Sequence, residues 1–460
     1  MNELSNSLAA ADIAHQLHPY TNARAHEEKG PMIITRGDGI RVYDSTGKEY
    51  IEGMAGLWSV AVGFSEDRLA KAAYDQMLKL PYYHTFAHKS TEPSIRLAEK
   101  LAEMTPEHLT RCFFTNSGSE ANDTIVKMVW FMNNALGRPE KKKFIARHKG
   151  YHGITVASGS LTGLGGNHRD FDLPAIPVTH LTTPHFWREG AEGETEADFT
   201  ARLLKEIEDT ILAEGPETIA AFIGEPVIGA GGVFVPPEGY WPGVAALCKK
   251  YDMLLIADEV INGFGRLGTP FGSQRYDFEP DIMTLSKQIS SSYMPLAAIM
   301  LTDAVYDVIA DNTAKLGSFG HGFTGSGHPV ACAVGLENLK IIEEKDLMGN
   351  AARMEAPFQE GLRKLLDHPL VGEVRGVGLI AGIEFADKTT KVNYAPAGSV
   401  AAKAAALCTE EGLIARNVYE TLALCPPLIV TEEDVAEILA RLGRALDRLS
   451  DWAKDEGLIA

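Results

Sequence analysis

The chain has no pair of cysteines spaced as CxxC. Its five cysteines, Cys112, Cys248, Cys332, Cys408 and Cys425, stand singly, which argues against a disulfide framework or structural zinc and fits reduced thiols in the cytoplasm. No apolar run approaches the roughly 18 residues of a spanning helix. The opening MNELSNSLAAADIAHQLHPY lacks the basic then apolar order of a signal peptide, so Asn122-Asp123-Thr124 reads as a chance glycosylation sequon. Positive charge is in deficit: 43 Lys plus Arg against 62 Asp plus Glu leave a net charge of −19. Nucleic acid and anionic membrane are thereby disfavoured as partners. The full GxGxxG is missing, since RGVGLIAGIEF offers only a GxG that continues as a strand, and a nicotinamide dehydrogenase is disfavoured. His84 and His88 are four apart, but the Glu of HExxH is absent and no metal is expected. No internal repeat or low-complexity segment occurs.

What is present is an ordinary globular composition over 460 residues, 45% hydrophobic and 23% charged, with length for about three domains. Residues 254–301 are the most informative stretch. Three short apolar runs without alternation read as strands covered on both faces; the first ends in Asp258 and Glu259, the second in Lys287. An acid and a lysine at strand ends lie where open α/β sheets bind ligands. Taken alone, a lysine after a strand is more often a solvated surface residue.

Other segments fall into place around this stretch. Residues 1–36 read as a helical arm followed by an extended segment, and GDGIRVYDSTGKEYIEG as a hairpin turning at Ser45-Thr46-Gly47. RCFFTNSGSEAND reads as a strand over 112–115 and a helix from Ser119. Ser117-Gly118-Ser119 thus forms a strand-to-helix turn suited to phosphate, although an ordinary Ser cap has the same look. KFIAR and IAAFIG read as buried strands, residues 198–214 as a surface helix and GYWPGVAALCKKY as a crossover helix. Residues 331–460 read as a smaller α+β lobe.

DEVINGFGRLG followed by PDIMTLSK resembles the signature of the class III, or omega, aminotransferases, and SGSEAND, YHG, GEPV and HGFTGSGHP resemble other motifs of that family. The likeness runs from about His18 to Pro427. It implies a fold type I, pyridoxal 5'-phosphate-dependent α/β transferase, with a large mixed-sheet domain and a smaller α+β domain formed by both chain ends. The expected division is 1–60 as arm and hairpin of the small domain, 61–330 as the large cofactor domain and 331–460 as the C-terminal small domain.

By the same resemblance Lys287 carries the cofactor as a Schiff base and Asp258 binds its ring nitrogen. Ser117, Gly118 and Ser119 form the phosphate turn, Tyr151 stacks on the ring, Val260 packs on the opposite face and Glu225 lies near the 3-oxygen. Thr324 contacts the phosphate of a neighbouring subunit, which implies a homodimer with shared sites. Trp58, Phe86, Tyr151 and Ala230 line the substrate pocket and Arg416 binds a substrate carboxylate. The chemistry needs these types together. A desolvated lysine condenses with an aldehyde near neutral pH and later moves a proton, and a carboxylate keeps the ring cationic as an electron sink.

The opening LHPYTN to GLWSVAVGF is similar to the amine:pyruvate branch, which implies transfer from a hydrophobic or omega amine, with (S) preference, to pyruvate or a similar keto acid. The alternatives are the β-alanine, taurine, GABA or ornithine aminotransferases, an aminomutase, or a non-enzymatic sensor on the same fold. After Lys287 the family commonly has glycine where this chain has Gln288.

Overall fold

Six of the seven strands in the largest sheet share one direction, so their carboxyl ends open on a single edge. In the computed structural model, which describes residues 7–459, the order is Leu109–Thr115, Ala297–Thr302, Ile282–Leu285, Leu254–Asp258, Ile219–Gly224, Lys143–Arg147 and Val178–Leu181. Ala297–Thr302 runs against both its neighbours and the remaining pairings are parallel. The sheet is mixed, as the resemblance implies. The strand ending in Asp258 is its middle member.

Residues on adjacent positions of the central strands feed two cores. Ala221, Ile223 and Ile256 pack with Ile125 and Val129 of the helix Gly118–Ala135. Phe222, Leu255 and Ala257 pack with Phe199, Leu203 and Ile207 of Glu196–Glu214 and with Trp241 and Val244 of Tyr240–Lys250. Burial on both faces is what a run without polar alternation specifies.

Two four-stranded sheets complete the fold. Val371–Val377, Ile380–Phe385, Thr421–Leu424 and Arg416–Val418 form an antiparallel one. In the other, the expected hairpin Arg41–Asp44 with Glu49–Glu52 pairs outward with Ile34–Asp38 and, in parallel, with Leu413–Ile414. The two chain ends thus meet in one sheet.

Some elements depart from the sequence expectation. The arm is helical over Leu8–His15, but part of the segment expected to be extended is also a helix, Ala23–Lys29. Its cause is local: the Asn22 side chain accepts from the N–H groups of Arg24 and Ala25. The first six residues of the arm lie outside the described residues. Leu109–Thr115 is longer than the expected 112–115, and Cys112, Phe113 and Phe114 are only half-buried. Among the described residues no helix is long and apolar enough to cross a membrane.

One buried arginine locks the antiparallel sheet to the edge of the large one. Arg375 donates to the carbonyls of Gly232 and Val233 at 3.0 and 2.9 Å, to Thr421 Oγ1 at 2.8 Å, and to Glu373 and Glu384 at 2.6 and 2.5 Å. Arg188 meets Glu384 from the other side at 2.6 Å. Removing one member of such a group strands buried charge. Arg375→Leu leaves Glu373 and Glu384 facing each other, and we expect a loss of about 3–5 kcal/mol, measured as a lower midpoint of denaturant unfolding.

Candidate functional site

Where the strands end, a cavity of about 440 Å³ opens beneath the arm. Trp58, Gly118, Ser119, Tyr151, Glu225, Ala230, Asp258, Val260, Lys287 and Arg416 all line it. Residues far apart in sequence and singled out by motif are therefore brought to one place.

Asp258 ends the middle strand and is 2% exposed. Burying a carboxylate is costly unless donors meet it. Three do: Asn122 Nδ2 at 2.9 Å, His152 Nδ1 at 2.8 Å and the Val260 N–H at 3.2 Å. Asn122 is held in turn by Thr284 Oγ1, which donates to its Oδ1 at 2.7 Å. Val260 lies beyond the strand, which stops at Asp258, and a turn sets its direction. A Cβ at Gly118 would come within 3.2 Å of Val260 Cγ2, so glycine there permits the close approach.

Lys287 follows the neighbouring strand Ile282–Leu285 and begins a short 3-10 turn, Lys287–Ile289. Its φ of +47° is left-handed, a conformation that costs free energy in a non-glycine residue. Burial pushes its amine below the ordinary lysine range, and the carboxylates of Asp258 and Glu225 oppose that shift.

The turn is held rigidly by Gln288. Its Nε2 donates to the carbonyls of Ile261 and Gly263 at 3.1 and 2.7 Å, and its Oε1 accepts from Arg266 at 3.3 Å. Asn338 Nδ2 donates to the carbonyls of Gln288 and Ile289. The side chain that replaces a common glycine is therefore a strut built into the core.

Glu225 accepts from the N–H groups of Tyr151 and Gly229, both at 2.9 Å, so one carboxylate orders two loops. Burial raises its pKa. Glu259, beside Asp258, accepts from Gly272 and Ser273 and is pushed up to about 7 by burial. Ser119 and Gly118 open the helix Gly118–Ala135, whose first N–H groups have no intrahelical acceptor. Ser117 is its cap, with Oγ accepting from Glu120 N at 3.2 Å, and it does not line the cavity.

Trp58 is 1% exposed and has φ +63° at the end of the short turn Ala55–Trp58. It packs with Met54 and Ile261, so it is both anchor and wall. Arg416 begins the strand Arg416–Val418 and enters the cavity from the antiparallel sheet.

Phe86 and Thr324 do not reach this cavity within one chain. Both are exposed and belong to one neighbouring surface, where Phe86 packs at Gly322 and Tyr82 donates to the Thr324 carbonyl at 2.9 Å. Within a single chain Phe86 does not line the pocket that Trp58 walls. The segment carrying it follows the helix Asp67–Lys79 outward over the surface.

The sequence reading passed over Asn122, His152 and Tyr20. The first two stand inside quoted motifs, but their partner Asp258 is 136 and 106 residues away, which no local pattern reveals. Tyr20 accepts from Asn167 Nδ2 at 2.6 Å and lines the cavity from the arm. Together with burial, which is the larger influence, Tyr20 raises the Tyr151 phenol.

Known proteins resemble this chain over most of its length. The profile of the family described as Aminotransferase class-III matches residues 22–446. The omega transaminase from Pseudomonas jessenii, solved in complex with PMP, is 59% identical with a TM-score of 0.96 over 97% of this chain and 99% of its own. A transaminase solved with L-Ala is 57% identical with a TM-score of 0.90 over 91% of this chain and 99% of its own. Gamma aminobutyrate transaminase 1, mitochondrial, of Solanum lycopersicum is 51% identical over 432 residues, 94% of this chain and 84% of that protein. With a family profile spanning most of its length and these relatives beside it, the chain belongs to the class III aminotransferases, pyridoxal 5'-phosphate enzymes of fold type I.

Proposed function

We propose that this enzyme moves an amino group from a hydrophobic or omega amine, with preference for the (S) form, to pyruvate or a similar keto acid. The observation that carries the reading is the meeting of Lys287, Asp258 and Arg416 in a cavity whose other walls are largely apolar: Leu57, Trp58, Leu164 and Ile261. The donor set fits pyridoxal phosphate: a desolvated amine, a carboxylate supplied with donors, and a helix N-terminus whose glycine stands against Val260.

Bound there, the cofactor supplies an aldehyde that condenses with amines and a ring that takes up the electron pair left when Cα loses its proton. Asp258 presents its carboxylate to the ring nitrogen, held in place by Asn122 and His152. Lys287 Nζ removes the Cα proton and returns it, a role suited to an amine that burial favours in its neutral form. Gly118 and Ser119 offer N–H groups to the phosphate, with Ser117 acting through the cap. Tyr151 and Val260 would hold the ring from its two faces, and Glu225 keeps the loop of Tyr151 ordered.

Arg416 recognises the keto acid, since a planar guanidinium meets a carboxylate in two parallel hydrogen bonds. Trp58 and small Ala230 bound the space for the amine's substituent. Phe86 and Thr324, exposed and remote from their own cavity, are supplied to the partner's site in a homodimer. The five free cysteines fit the reducing cytoplasm.

A second reading is γ-aminobutyrate as donor, favoured by the 51% identity to a protein so named. Half-reactions of the purified enzyme with 1-phenylethylamine, alanine and γ-aminobutyrate separate the two. We expect the first two to bleach the cofactor's visible absorption faster; indifference to both would transfer the assignment to the second reading. Lys287→Ala should lower turnover by more than about a thousandfold. Arg416→Ala should reduce kcat/KM for pyruvate roughly ten- to hundredfold while sparing simple amines, and equal losses would remove its assigned role. In cofactor-free protein the Lys287 amine should become reactive to an acylating probe at a pH below the ordinary 10.5. In Asp258→Asn that midpoint should fall further, because the lost anion had favoured the ammonium form.

A further inference from the structure

Among the described residues two groups of three bring histidine and carboxylate ligand atoms within 4.8 Å of one another, and they differ in what already neutralises them. In the first, His185 Nε2 lies 2.7 Å from Glu373, with Glu384 close by, but the Arg375 guanidinium is bonded to both carboxylates. A cation is resident, and a metal ion has no role there.

The second cluster sits in the arm and contains no lysine or arginine. Asp12 comes from the helix Leu8–His15, His18 from the following turn and His26 from the helix Ala23–Lys29. Both imidazoles aim Nε2 at one carboxylate: His18 at 2.9 Å from each oxygen and His26 at 2.8 Å from Oδ2. The three ligand atoms lie within 4.8 Å of one another and the rings are 4.2 Å apart. All three side chains are mostly shielded, with exposures of 27, 17 and 12% for His18, Asp12 and His26. The two cluster histidines also line a small cavity, together with His15 and Glu27.

From this convergence we infer that Asp12, His18 and His26 form a zinc site that staples the arm. Two imidazole nitrogens and one carboxylate oxygen are the donor types that zinc accepts. Ligands at about 2.0–2.1 Å from a tetrahedral ion stand about 3.3 Å apart. Each imidazole nitrogen therefore needs to move only about half an ångström from the Asp12 oxygen it meets to admit the ion. Water completes the fourth position, since both Glu27 oxygens are already held by Arg24 at 2.8 and 2.7 Å. Without the ion both imidazoles share one carboxylate; with it each presents a lone pair inward.

The site has a structural consequence for the enzyme. Pro19 and Tyr20 follow His18 directly, and both line the main cavity. Tyr20 is bonded to Asn167 at 2.6 Å and has φ +51°. Fixing His18 to both arm helices holds this turn over the cavity mouth.

The test is equilibrium dialysis of metal-stripped holoenzyme against Zn²⁺, with Co²⁺ as the spectroscopic substitute. One equivalent per chain is expected, with the intense visible absorption of tetrahedral cobalt. Asp12→Asn and His26→Gln should each weaken uptake by more than about a hundredfold, since each removes a direct ligand, while His185→Gln should leave it unchanged. Zinc should also slow tryptic cleavage at exposed Arg24 in the unaltered protein and not in Asp12→Asn. No stoichiometric uptake, or uptake that survives both arm variants, overturns the site; loss in His185→Gln alone would move it to the other cluster.

Discussion

A carboxylate at 2% exposure, met by an asparagine, a histidine and a backbone N–H, is the constraint around which this enzyme is assembled. Each donor comes from a different element, and each is positioned by another: Asn122 by Thr284 of the adjacent strand, and His152 through its own N–H to Thr162 Oγ1. The helix, the loop and two strands must be in register before the anion is satisfied. Because an unmet buried charge is expensive, the network discriminates against near-native arrangements as well as orienting Asp258.

The lysine beside it is placed by force rather than by preference. Its left-handed backbone persists because the following residue is fixed at four points, through Gln288 to Ile261, Gly263 and Arg266 and through Asn338. Arg266 extends the linkage by donating to the carbonyls of Leu379 and Pro426. A displacement of the antiparallel sheet is thus felt at Lys287, which is how strain at a functional residue is sustained by surrounding packing.

Much of this was legible in the sequence. The unalternating runs ending in Asp258 and Lys287 gave buried strands, and the turn at Ser45-Thr46-Gly47 gave the hairpin. The turn SGSEAND gave a helix start displaced by one residue from that observed. What stayed hidden depended on partners distant in sequence or on side-chain capping. Asn122 looked like part of a chance sequon, and His152 had no visible function until Asp258 stood beside it. The helix Ala23–Lys29 lies in a polar segment whose start is fixed by Asn22, where periodicity has little to measure. Val260 lies past the end of its strand, so a turn sets its direction, and which surface the loop carrying Phe86 crosses is not written in the neighbouring sequence.

The parallel pairing of Glu49–Glu52 with Leu413–Ile414, reinforced by Lys48 Nζ to the Thr409 carbonyl 361 residues away, bears on how the chain is made. At about 5–20 residues per second, the early hairpin emerges from the ribosome on the order of 20–70 s before its partner. Throughout that interval one strand edge beside Trp58 has nothing to pair with, and such an edge invites association with other nascent chains. Slower synthesis lengthens that exposure, so the pairing ties the safety of the hairpin to the pace at which the chain is made.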